Sequence, residues 1–130
     1  MKTPQWIDRR ALLLLHEETL AEHGGLRELR DESTFDAALA RPQHVHTYEA
    51  KADLARLAAA YGFGLVRNHP FNDGNKRVGF LGIGLFPALN GYELKVDPVD
   101  AIQIILRLAA GELSELKLAN WIREGMVRQR

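Results

Sequence analysis

Apolar positions recur at helical spacing along most of the chain, and prolines, glycines and capping side chains mark the breaks between the runs. Thr3 before Pro4 offers a cap and a first-turn proline, and Gly24-Gly25 a stop. Residues 4–23 therefore read as a first helix with Ile7, Leu14 and Leu15 turned inward. From Asp31 to Pro42, DESTFDAALARP puts acids in a first turn and Phe35, Ala38 and Leu39 on one face. Pro42 predicts an end near Arg41, and QHVHTYEA, residues 43–50, reads as a loop.

Residues 51–67 carry Leu54, Leu57, Ala58, Tyr61 and Leu65 on one face and small residues elsewhere, the pattern of a central, buried helix. A further apolar helix runs from Val78 to Asn90. Gly79, Gly82 and Gly84 within it predict close helix contact, and Pro87 predicts a kink. Tyr92 to Val96 reads as a short extended piece too isolated to form a sheet. Asp97-Pro98 caps a helix that closes at Gly111, and Ser114 caps a last one reaching the basic end, with Leu116, Ala119 and Trp121 packed. The expected fold is all-α, a single domain over residues 1–130 with about six helices.

Composition narrows the class further. A length of 130 residues with 46% hydrophobic content suits one core, and 17 basic residues balance 17 acidic ones. That balance argues against general adhesion to nucleic acid or to an anionic membrane. No run is long enough to span a bilayer, the run ALLLL at 11–15 is too short for a signal peptide, and with no cysteine a reducing, cytoplasmic setting fits.

Between the two apolar helices lies HPFNDGNKR, residues 69–77. A helix beginning near Gly74-Asn75 exposes unpaired N–H groups and a partial positive charge, Gly74 lets the backbone approach an anion, and Lys76 and Arg77 add two cations. In outline this is a phosphate cradle. Asp73 reads either as a helix cap or as a ligand for Mg²⁺, which takes few carboxylates and completes its shell with phosphate oxygens and water. His69, at the end of the preceding helix, is placed to accept a proton from a hydroxyl. Singly, a His, an Asp or a Lys-Arg pair is more often surface or cap; within nine residues the three are no longer independent. His16 reads as a packed helix residue. His44 and His46, without nearby acidic partners, make a poor metal pair and read as loop residues flanking the site entrance.

The segment resembles the motif of the Fic/Doc family, in which the Fic branch carries HxFx[DE]GNGR and the Doc branch HxFx[ND][AG]NKR. Lys76 stands where Fic enzymes have Gly, and Phe80 where they commonly carry a second Arg, so the resemblance is to Doc toxins. It extends to LHEETLAEHGGLRELRD, ALARPQ, NGYEL and AAGEL and covers roughly residues 6–122.

The resemblance implies an all-helical domain and a Mg²⁺-dependent protein kinase that moves the γ-phosphate of ATP to a threonine of elongation factor Tu, blocking translation. It further implies His69 as base, Asp73 as metal ligand, and Lys76 and Arg77 as phosphate-neutralising groups. Asn72, Gly74 and Asn75 would complete the phosphate site, Asn75 through its N–H and its amide. Phe71 would be a structural anchor, and Pro70 a stiffener that keeps His69 extended. The self-inhibitory Fic motif, Ser or Thr followed four positions on by Glu and then Gly or Asn, is missing, which implies a separate Phd-like antitoxin. A face beside Leu12, Leu13 and the last helix is one candidate for its docking, with simple core as the plainer reading. The other functional readings are a Fic-like AMP transferase, a family member that binds nucleotide without turnover, and a non-enzymatic helical nucleotide- or DNA-binding module.

Overall fold

Six capped helices and one short ribbon follow one another in the order α1 (Arg9–His23), α2 (Glu32–Tyr48), α3 (Leu54–Arg67), α4 (Asn75–Leu89), β1 (Tyr92–Leu94), α5 (Pro98–Ala109), α6 (Glu115–Gly125) and β2 (Met126–Arg128). The computed structural model describes residues 3–25 and 29–129. As the apolar pattern predicts, the fold is all-α, and α3 is its centre. Every residue of α3 from Leu57 to Gly62 is buried, and α2, α4, α5 and α6 pack around it. Asp53 caps α3 by accepting from the Arg56 N–H at 2.9 Å, which starts the helix three residues later than its apolar pattern suggests.

Two of the three glycines noted in α4 face α3. A Cβ on Gly79 would collide with Val66 Cγ2, and one on Gly82 would lie 3.4 Å from Leu65 Cδ1, whereas Gly84 has open space. Pro87 lies in the last turn of α4, where little helix remains to be turned.

The first helix starts at Arg9 under an Asp8 cap, not at Pro4. Tertiary contacts override the proline signal there: the Ile7 N–H donates to the Tyr61 hydroxyl at 3.0 Å, Gln5 and Asn90 exchange hydrogen bonds, and Trp6 stacks on Phe86. Residues 3–8 are thereby strapped across α3 and α4. Because Ile7 lies before the helix, the inward stripe falls on Leu12, His16 and Leu20. Leu14 is 59% exposed.

Helix α2 runs through Pro42 to Tyr48, so residues 43–48 are helix and not loop. An interior proline costs about 3 kcal/mol in an isolated helix; here Phe35, Ala38 and Pro42 are buried, and packing on α3 offsets the lost hydrogen bond. His44 and His46 sit on this helix. His46 is edge-on to Trp6, and both lie about 20 Å along α2 from its start beside the HPFNDGNKR loop. They do not flank that loop, and among the described residues no cluster of three potential metal ligands occurs.

The extended piece after α4 does find a partner. Tyr92 to Leu94 pairs antiparallel with Met126 to Arg128, and the Lys95 N–H donates to the Gly125 carbonyl at 2.8 Å. A Cβ on Gly125 would sit 2.7 Å from Val96 Cγ1, so the chain leaves helix at this glycine and crosses close to residues 95–96. On α6, Leu118, Ala119 and Ile122 are buried, Trp121 is half-buried, and Leu116 is exposed.

Ion pairs tie the helices together at one end of α3. Glu115 at the start of α6 accepts from Arg41 of α2 and Arg56 of α3, and Arg56 reaches Glu49 at 2.9 Å. Nearby, Arg123 bonds Asp53 at 2.6 and 2.9 Å. The Arg123 guanidinium holds the Asp53 carboxyl below its ordinary value of 3.8. A lowered folded-state pKa contributes stability at neutral pH that is lost as pH falls through that value. The melting-temperature gap between wild type and Asp53→Asn, which keeps a capping side chain, is therefore expected to be widest near neutral pH and to close below about pH 4. A gap independent of pH would show that the ion pair contributes nothing.

Candidate active site

Helix α3 ends at Arg67 and α4 begins at Asn75, so residues 68–74 form the turn that joins two buried helices. The first intrahelical bond of α4 runs from the Val78 N–H to the Gly74 carbonyl, at 2.9 Å. The N–H groups of Asn75, Lys76 and Arg77 therefore have no acceptor within the helix, and the positive end of its dipole lies with them. Gly74 caps the helix in a left-handed conformation, φ 84°, which leaves its surface bare toward the turn.

A cavity of about 330 Å³ opens at this point, lined by His69, Asn72, Asp73, Gly74, Asn75, Lys76 and Arg77. Every residue that the sequence singles out for chemistry thus borders one space. His69, Asn72, Asp73 and Lys76 are exposed, Arg77 is half-buried, and Asn75 is buried. Arg77 Nη2 lies 3.5 Å from the Gly24 carbonyl, and its Nε is buried without a hydrogen-bond partner.

Two roles differ from the sequence reading. The Asn75 amide is committed to the turn: its Oδ1 accepts from the Phe71 N–H and its Nδ2 donates to the Phe71 carbonyl, both at 2.9 Å. Only its backbone N–H remains for an anion. His69 is not extended. It has φ 48°, the sole positive φ of a non-glycine residue among those described, despite the proline that follows.

Phe71 is the expected anchor, buried between His16, stacked at 3.7 Å between ring centroids, and Phe35 at 5.2 Å. His16 does more than pack. Its Nε2 lies 2.8 Å from the Asp73 carbonyl, an acceptor, so the ring donates there and holds the backbone just before Gly74. A histidine on the inward stripe of an amphipathic helix is the only trace this contact leaves in the sequence. Arg30 leaves none. Its Nε donates to the His69 carbonyl at 2.6 Å and its Nη2 to the Asn68 carbonyl at 2.8 Å.

A second, apolar groove of about 500 Å³ adjoins the cavity between α4 and α5. Phe80, Leu94, Val96, Ile102, Ile105 and Leu106 line it, and it shares Lys76 and Arg77 with the first.

The chain belongs to the Fic/DOC family, whose model matches residues 6–86, and within that family to the Doc branch. It is 31% identical to "Protein kinase doc" of Escherichia phage P1 over 112 residues, 86% of this chain and 88% of that protein. It is 41% identical to "Toxin Doc" of Mycolicibacterium smegmatis over 75 residues, 57% of this chain and 58% of the relative.

Proposed function

We propose that this protein is a toxin of the Doc kind, a cytoplasmic protein kinase that moves the γ-phosphate of ATP to a threonine hydroxyl of elongation factor Tu. The observation that carries the reading is the single cavity in which an exposed histidine, a carboxylate, two cations and a helix start converge. The likeness to a phage protein named as a kinase supports the reaction.

In this reading His69 accepts the hydroxyl proton as the hydroxyl oxygen bonds to the γ-phosphorus. The bond from that phosphorus to the bridging oxygen breaks, and ADP departs. Lys76, Arg77 and the N–H groups of residues 75–77 meet the phosphate oxygens, where charge is spread in the transition state. Asn72 lines the same cavity and would face the same oxygens. Asp73 would hold Mg²⁺, which when bound supplies charge neutralisation at the phosphates; one carboxylate among the described residues that line the cavity suits that ion's preference for few protein ligands.

Phe80 favours γ- over α-phosphate transfer. It presents a ring to the apolar groove where a Fic enzyme commonly has a second arginine for the nucleotide phosphates. A Phd-like antitoxin would restrain the enzyme. Leu12 is fully buried, so the face beside it is core; the groove between α4 and α5 fits an acidic, amphipathic segment better, because its rim carries Lys76 and Arg77 and an occupant would cover the phosphate site.

The deciding experiment incubates purified protein with elongation factor Tu, Mg²⁺ and labelled ATP. Label is expected to move from γ-labelled and not from α-labelled nucleotide. Transfer of the α-label would replace this reading with AMP transfer, and salt-sensitive binding to duplex DNA without turnover would replace it with a binding module.

A further inference from the structure

The turn that carries His69 is held from outside itself. Arg30, 38 residues before Asn68 and just ahead of α2, binds three successive carbonyls. Its side chain takes Asn68 and His69, as described, and its backbone N–H donates to Pro70 at 2.8 Å. Leu29 continues the contact with an antiparallel bridge to Phe71. Beyond that point Asn75 and His16 hold the backbone of Phe71 and Asp73.

Left to local preference, a residue before proline avoids the helical regions, and a non-glycine residue seldom takes positive φ. His69 does so where its own carbonyl and the preceding one both point at one guanidinium. A planar fork can bond two carbonyls at fixed separation, and its positive charge also suits the C-terminal end of α3.

We infer that Arg30 is the positioning residue for His69: by clamping the carbonyls of Asn68 and His69 it fixes the left-handed backbone that directs the imidazole into the cavity. Arg30 borders neither the cavity nor the apolar groove, so it acts through the turn that carries His69 and not on the substrate directly. The kinetic side of this inference rests on the kinase reading; the geometric side does not.

The test compares wild type with Arg30→Gln, Arg30→Lys and, as a control for loss of a nearby charge, Arg9→Gln, whose arginine pairs with Glu32 and Asp36 on α2. Rates with γ-labelled ATP, melting temperature and the NMR resonances of the His69 ring are recorded for each. A displaced reacting group costs up to about 100-fold in rate, so Arg30→Gln is expected to lower kcat about 10- to 100-fold. Its KM for ATP should stay within about twofold, because the phosphate-binding groups are untouched. The His69 ring resonances should shift while those of His16 stay in place. Arg30→Lys should recover only part of the rate, since an ammonium does not reproduce the fork, and Arg9→Gln should match wild type.

Wild-type kcat with unshifted His69 resonances in Arg30→Gln would overturn the inference. So would a rate loss matched by an equal loss of folded protein, or full recovery with lysine. If wild type transfers no phosphate, the kinase reading fails by itself, and the His69 resonances alone decide the role of Arg30.

Discussion

Replacing His69 with alanine is expected to lower phosphoryl transfer by about 10²- to 10⁴-fold, the range supplied by a positioned general base, and to abolish growth arrest in cells. The fold should persist, because His69 is exposed. Circular dichroism should show unchanged helical content, with stability altered by no more than about 1 kcal/mol. Nucleotide affinity should change little, since Lys76, Arg77 and the N–H groups at the start of α4 remain. A variant that kept full toxicity would remove His69 from the mechanism. One that lost helical content would make it structural.

The largest expected effect on stability is at Glu115. Its carboxylate is buried between Arg41 and Arg56 and bonds both guanidiniums, so one side chain links α2, α3 and α6. In Glu115→Ala the Arg56 guanidinium, only 12% exposed, keeps just Glu49, and Arg41 keeps its position over the Phe63 ring. Removing one partner of a buried ion pair typically costs 3–5 kcal/mol, and the surviving Glu49 contact places this case near about 3 kcal/mol. For a chain of this size that is a fall of about 10 °C in melting temperature. A fall under about 2 °C would show the network to be solvent-screened. Because Glu115 borders neither the cavity nor the groove, activity below the transition should remain.

The helices that local patterning predicts well, α3 and α5, have continuous apolar stripes; Asp97 marks the start of α5 as expected, while Asp53 sets that of α3 three residues late. Where patterning misleads, a non-local contact has outweighed a local preference. Pro42 ends a helix in isolation but not one pressed against α3, and Pro4 cannot start a helix while Tyr61 and Asn90 hold its neighbours extended. Residues 126–128 continue the apparent pattern of α6, and only pairing with Tyr92 to Leu94 makes them a strand. The site was legible for a simple reason: its lining residues lie within nine consecutive positions. What supports it was not, since Arg30 and His16 meet that stretch only once α1 and α2 have folded over it.

With φ 48°, His69 holds a position where glycine or asparagine would be more comfortable than most side chains. Selection for stability alone would favour such a replacement, whereas selection for proton transfer would not. If His69 is the base, the protein keeps its chemistry at a position of conformational frustration, and a search for more stable variants would tend to discard that residue early.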